Sequence, residues 1–248
     1  MVVYPVKAFT DNYIWTIVDE DNKKAYCIDP GEALPLLTFL KSRDLILEAI
    51  LLTHHHSDHI GGVEELLYTN SELRIFGPEN LSFPLMQVVN DNSSIKLGTY
   101  EFKVIETPGH TATHISFFEV NQLWLFCGDT LFSAGCGRVF DGTMEQLYHS
   151  LQKIMTLPLE TKIFCAHEYT RQNLRFATLV EPDNLEISEY YLELANNGLC
   201  SLPSSLEREM KINPFLRITH LQTLSEELNE QSLIHIFREL RKQKDEFR

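Results

Sequence analysis

The sequence predicts an α/β sandwich followed by a small helical domain, and three observations carry that reading. Short β-type runs alternate with turns and helical stretches as far as His167. Beyond that point the strand pattern disappears and helical or short polar runs take over. Several apolar runs end on a His or an Asp, the place where an open α/β sheet gathers ligands. The 248 residues suffice for one large domain or a mid-sized domain with an appendage. A boundary near Tyr169 divides them into 1–168 and 169–248.

The elements follow in order. Residues 12–18 (NYIWTIV) and 24–28 (KAYCI) read as paired strands around the acidic turn DEDN, and Asp29-Pro30-Gly31 ends the second. Residues 33–42 read as a helix. Residues 46–52 form a buried strand that runs into Thr53-His54-His55-His56, and a helix over 61–68 follows. Strands are expected at 73–76, 94–97, 100–107, 114–120 and 123–126. A helix at 143–155 and a strand at 162–165 complete the first part. Helical or short polar segments at 168–180, 186–196, 206–210, 221–227 and 232–244 make up the second.

Composition removes several classes of function. A formal charge of −14 argues against a nucleic-acid grip, which needs basic surface facing phosphates. No stretch is long and apolar enough to cross a bilayer, so no membrane partner is expected. The N-terminal MVVYPVKAFTDNYIW lacks a basic region followed by an apolar one, so the chain reads as cytoplasmic. The five cysteines are scattered without a CxxC, which fits buried reduced thiols better than a disulfide framework. Against the acidic trend, Arg238, Arg241, Lys242, Lys244 and Arg248 cluster at the C-terminus.

The sharpest chemical feature is His54-His55-His56-Ser57-Asp58-His59 at a strand end, which fits HxHxDH. Imidazole and carboxylate are the usual ligands of a catalytic zinc-like ion. His54 and His56 project to one side of an extended chain and can meet one ion. Asp58 and His59 follow the turn and can face a second. His55 points the other way, towards a packing or hydrogen-bonding role. Further strand ends carry His110 in TPGHT, Asp129 in CGDT and His167 in AHEY. A lone His is more often a satisfied core residue. The seven groups together are too many for one tetrahedral ion and suit two. Asp29 is either a turn former or the orienter of a histidine.

HHHSDH, TPGHT, CGDT and AHEY, in this order, resemble the metallo-β-lactamase superfamily. That resemblance implies an αββα sandwich with the site at its open edge. It assigns His54, His56 and His110 to one metal, Asp58, His59 and His167 to the other, and Asp129 to both. It implies two divalent ions, zinc first and iron or manganese as alternatives. Asp58 and Asp129 are then the catalytic carboxylates around a metal-bound hydroxide that attacks an acyl carbon. A thiolate leaving group needs no dedicated acid.

Three longer stretches, GDTLFSAGCGRVFDG, AHEYTRQNLRFATLVEP, and NPFLR with the tail LRKQKDEF, resemble the glyoxalase II family of hydroxyacylglutathione hydrolases over essentially the whole chain. The resemblance implies hydrolysis of S-D-lactoylglutathione, and a monomer is expected. It places glutathione on Arg138, Phe140, Tyr169, Arg241 and Lys244, the last two on one face of a near-surface helix. Two departures stand out: Arg138 replaces a common Lys, and Phe140 replaces a Tyr whose hydroxyl would donate a hydrogen bond. Cys136 in the same stretch reads as packing. The rival readings are a one-iron dioxygenase acting on glutathione persulfide, a β-lactamase, an RNA-processing nuclease, and a non-catalytic metal-binding module.

Overall fold

The computed structural model describes residues 2–197, 200–221 and 229–247. The chain divides into two compact units, Met1–Glu106 with Thr113–Gly128, and Thr107–Ala112 with Asp129–Arg248.

The first unit opens with β1 (Val2–Ala8), β2 (Asn12–Asp19), β3 (Lys24–Ile28), α1 (Ala33–Arg43), β4 (Ile46–Leu51), α2 (Ser57–Ile60), α3 (Val63–Thr69), β5 (Arg74–Gly77) and β6 (Met86–Val88). β1 to β6 form one mixed sheet in sequence order. β1–β2 and β2–β3 pair antiparallel, whereas β3–β4, β4–β5 and β5–β6 pair parallel. β7 (Ser94–Leu97), β8 (Tyr100–Glu106), β9 (Ile115–Glu119) and β10 (Trp124–Gly128) form an antiparallel run. Every residue of β2, β9 and β10 is buried, as expected of strands covered on both faces. Tyr26 on β3 and Tyr100 on β8 meet edge to face at 6.4 Å. On the other face of the first sheet, Leu36 and Leu40 of α1 and Val63 and Leu66 of α3 share a core with Ile14, Ile50 and Ile75. This buried apolar layer fixes the strand ends that carry the functional side chains.

The second unit holds β11 (Leu131–Phe132), β12 (Gly135–Cys136), α4 (Met144–Met155), β13 (Lys162–Cys165), α5 (Thr170–Val180), α6 (Leu185–Asn197), β14 (Ser204–Ser205), α7 (Leu206–Ile212), α8 (Ile218–Leu221) and α9 (Glu230–Glu246). Thr143 starts α4 with a capping box: its hydroxyl accepts from Gln146 N at 3.1 Å, and Gln146 Oε1 accepts from Thr143 N at 2.8 Å. α5, α6 and α7 bury Leu174, Ala177, Ile187, Tyr190, Leu194 and Ile212 together. α9 turns Phe237, Leu240, Arg241 and Lys244 inward.

The structure corrects the sequence reading in several places. The helix expected over 61–68 is α3, which starts at Val63; the unexpected four-residue α2 precedes it, and Gly61-Gly62 separates the two. A Cβ on Gly61 would stand 2.7 Å from Gly31 O, and one on Gly62 2.7 Å from Pro30 O, so backbone is pressed against backbone there. β1 was not expected; Pro5 interrupts its pattern and is tolerated because β1 is an edge strand. β6, β11, β12, β14 and α8 are too short to leave a periodic signature. β14 also shows that strand pairing continues past His167, with Ile163 opposite Ser204. Of the segment expected at 221–227, only Leu221 lies within the described residues, and Arg248 of the basic cluster lies outside them. Among the described residues no helix is long and apolar enough to cross a membrane.

Candidate metal centre and substrate site

In the first unit the donors follow the C-terminal end of β4. His54 is fully buried and His59 nearly so. His54 Nε2 lies 3.1 Å from His56 Nδ1, and His59 Nε2 lies 3.4 Å from Asp58 Oδ2. The partners behind these atoms select which nitrogen faces forward. Asp29, at the end of β3 with φ 51°, accepts from Thr53 N at 2.8 Å and Thr53 Oγ1 at 2.7 Å. Its Oδ2 also faces His59 Nδ1 at 3.0 Å. Asp29 therefore ends the strand and orients a histidine, both roles that the sequence left open. Thr53 Oγ1 meets His54 Nδ1 at 3.0 Å, which directs His54 Nε2 away from it. Asn12 donates to Asp58 Oδ2 at 3.0 Å, a contact between residues 46 apart in sequence. His55 takes the hydrogen-bonding role expected of it, with Asn80 Nδ2 2.9 Å from its Nδ1.

In the second unit His110, Asp129 and His167 come together. His110 Nδ1 sits 2.8 Å from Arg138 O, a contact that only an N–H makes, so Nε2 carries the lone pair. That Nε2 lies 3.5 Å from Asp129 Oδ2, and His167 Nε2 lies 3.4 Å from Asp129 Oδ1. The carboxylate thus offers a different oxygen to each histidine. Two ligand atoms each ~2.1 Å from an ion at a tetrahedral angle stand ~3.4 Å apart. The donor set therefore fits metal ions on spacing as well as on chemistry. His167 is further fixed by stacking on Tyr169 at 4.7 Å and by the edge of Phe132 at 5.9 Å.

The residues expected to hold glutathione also lie in the second unit. Arg138 and Phe140 are exposed and Tyr169 is half-buried. Arg138 Nε pairs with Asp245 Oδ1 at 3.2 Å. Arg241 and Lys244 lie one turn apart on α9, but the expectation of a near-surface position is overturned: they are 3% and 8% exposed. Arg241 Nη1 donates to Cys136 O at 2.8 Å, Nη2 pairs with Asp245 at 3.0 Å, and the guanidinium lies 5.2 Å from the Phe215 ring. Its buried Nε has no hydrogen-bond partner among the described residues. Lys244 Nζ lies 5.5 Å and 5.2 Å from the Phe176 and Phe247 rings. Burial, with Arg241 and Arg138 adding repulsion, brings its pKa down to about 8. Cys136 packs, as expected; burial pushes its thiol up to about 11, which leaves it a poor nucleophile.

Sequence reasoning missed the support beneath these residues. The β11–β12 hairpin, which joins Asp129 to Arg138, is gripped by three buried side chains. Asn213 Nδ2 donates to Phe132 O at 3.1 Å and Gly135 O at 2.9 Å, and Asn173 Nδ2 donates to Ser133 O at 3.0 Å. Glu209 accepts from Ser133 Oγ at 2.8 Å, Ala134 N at 2.7 Å and Ser204 Oγ at 2.5 Å. The only signal was Asn213 at the head of NPFLR.

Comparisons with known proteins show which families the chain matches. The family described as Metallo-beta-lactamase superfamily matches residues 11–167, and that described as Hydroxyacylglutathione hydrolase C-terminus matches residues 168–247. The chain is 47% identical to a hydroxyacylglutathione hydrolase of Legionella pneumophila (strain Lens), with 100% of both chains covered. It is 47% identical to another from Aliivibrio salmonicida (strain LFI1238), again with 100% of both covered. Among solved structures it resembles ETHE1 from Myxococcus xanthus, with a TM-score of 0.66, 26% identity, and 98% of this chain and 100% of that one covered. It also resembles the BLEG-1 B3 metallo-beta-lactamase, with a TM-score of 0.63, 26% identity, and coverage of 87% and 98%.

Proposed function

The chain belongs to the metallo-beta-lactamase superfamily and, within it, to the hydroxyacylglutathione hydrolases, and from that premise we propose that it hydrolyses S-(2-hydroxyacyl)glutathione thioesters. The substrate of choice is S-D-lactoylglutathione, which water splits into D-lactate and glutathione, the second step of methylglyoxal detoxification. His54, His56 and His110 hold one divalent ion, Asp58, His59 and His167 hold the other, and Asp129 serves both. The observation that carries this reading is the pair of Asp129 oxygens, one 3.5 Å from His110 Nε2 and the other 3.4 Å from His167 Nε2. When bound, the ions supply Lewis-acid activation of water and of the thioester carbonyl. Zinc is the proposed metal, since imidazole and carboxylate suit it and leave a position open.

The chain's own residues do the rest. Asp29, Thr53 and the Arg138 carbonyl fix histidine tautomers, so that each Nε2 is presented without rearrangement. Asp58 and Asp129 place anionic oxygens beside the attacking water. Residues 169–248 form the proposed glutathione-binding domain, which follows a catalytic domain of 1–168 in the sequence. Arg138, Tyr169, Arg241 and Lys244 take the tripeptide, and Phe140 lends it an apolar wall. Tripeptide carboxylates suit the Arg241 Nε, which makes no hydrogen bond among the described residues, and the Lys244 ammonium, which lies by the Phe176 and Phe247 rings. The five free thiols agree with work in the reducing cytoplasm. Each chain carries one full set of donors and contacts, which suits a monomer.

The test is Asp129→Ala. Metal per chain, measured by elemental analysis, and hydrolysis of S-D-lactoylglutathione fall together. A variant that keeps both metals and near-normal turnover contradicts the assignment.

A further inference from the structure

The turn between β1 and β2 carries a side chain that the fold does not call for. Phe9 sits there with φ 48°, the left-handed region that Gly or Asn occupies at less cost. Phe9 is the one aromatic among the described non-glycine residues with positive φ. The residue is 54% exposed, so core packing does not account for it. The conformation is nevertheless held firmly: Phe9 N donates to Glu32 Oε2 at 2.6 Å. Backbone held in a sparsely populated region by a specific partner is a mark of functional placement.

What the turn adjoins is Asp58. A Cβ built on Gly31 would meet Asp58 O at 1.9 Å and Phe9 Cε2 at 2.8 Å, so the Phe9 ring and the Asp58 backbone share the space that Gly31 leaves open. At the other end of the same turn, Asn12 donates to Asp58 Oδ2 at 3.0 Å and reaches Asp58 O at 3.4 Å. The turn is therefore tied at both ends to the surroundings of one proposed metal ligand, with an exposed phenyl ring at its tip.

We propose that Phe9 is a specificity-determining residue that packs against the acyl substituent of the thioester. The inference rests on the thioesterase reading above. The glutathione contacts proposed there come from residues 138–244. The acyl group leaves the carbonyl carbon on the side away from sulfur, and Phe9 supplies apolar surface beside the Asp58 backbone. An apolar wall of this kind favours acyl groups that bury more carbon.

The test uses the full-length metal-replete protein with S-D-lactoylglutathione and with S-mandeloylglutathione, whose acyl group adds a phenyl ring. Phe9→Ala removes the wall. The result expected is a fall in kcat/KM of about ten-fold for the mandeloyl substrate and about two-fold for the lactoyl one, with Phe9→Leu recovering most of the difference. Phe9→Gly, which suits the left-handed backbone, gives the same selectivity if the turn of Phe9→Ala is disturbed. Equal falls on both substrates, or none on either, overturn the proposal while leaving the thioesterase reading intact. Wild-type protein that hydrolyses neither substrate overturns both.

Discussion

Lys244 is an ammonium held among phenyl rings, and that placement has consequences that pH reveals. Burial lowers its pKa from 10.5 to about 8. Between those values the unfolded chain binds more protons than the folded one, so this group makes stability rise with pH across that window. If the charged form receives a glutathione carboxylate, substrate binding weakens as pH climbs through about 8. KM for S-D-lactoylglutathione should then rise above that pH while kcat stays level, and Lys244→Met should flatten the rise. It should also raise KM about ten-fold near neutral pH, the loss of one charge-assisted contact. A steady-state pH profile of both proteins checks this; a wild-type KM that is flat across pH 8, or one that Lys244→Met leaves unchanged, contradicts the role. Because Arg241 and Lys244 are both buried, salt screens them less than the near-surface position read from the sequence would require. The burial could not be read from LRKQKDEF, where spacing gives a shared face but not what covers it.

At the scale of elements, the longer strands were legible, because β2, β3, β4, β9 and β10 are mostly buried and need apolar runs, and β8 alternates buried with partly or fully exposed residues. The seven proposed donor residues were legible as well, since each follows the end of a strand: β4, β8, β10 or the short β13. The two-residue strands of the β11–β12 hairpin were not, because their geometry is set by α5 and α7 from 40 to 81 residues away in sequence. Glu209 is the centre of that support. It is fully buried, and burial raises its pKa, with four hydrogen-bond donors opposing the rise. Replacing it with Ala leaves Ser133, Ala134 and Ser204 donors without their acceptor in the interior. Glu209→Ala should lower stability by about 3 kcal/mol, measured by urea unfolding. A loss below ~0.5 kcal/mol would mean that the hairpin is held otherwise.

For the whole molecule, each unit keeps an internally ordered part of the proposed donor set: His54, His56, Asp58 and His59 with Asp29 behind His59 in one, His110 and His167 around Asp129 in the other. The order of motifs along the chain made that set legible, whereas two residues that orient it were not: Asn12 lay in a run that read only as strand, and Thr53 stood at the head of the histidine motif with no role of its own. The central claim is that this chain hydrolyses glutathione thioesters rather than thioesters at large. It is tested most directly by kcat/KM of the metal-replete protein on S-D-lactoylglutathione and on a small thioester lacking the tripeptide. The account predicts release of glutathione with kcat/KM on the order of 100-fold above that for the small thioester, the sum of two charge-assisted contacts. Equal values for the two substrates, or no hydrolysis alongside oxygen uptake with glutathione persulfide, would contradict it.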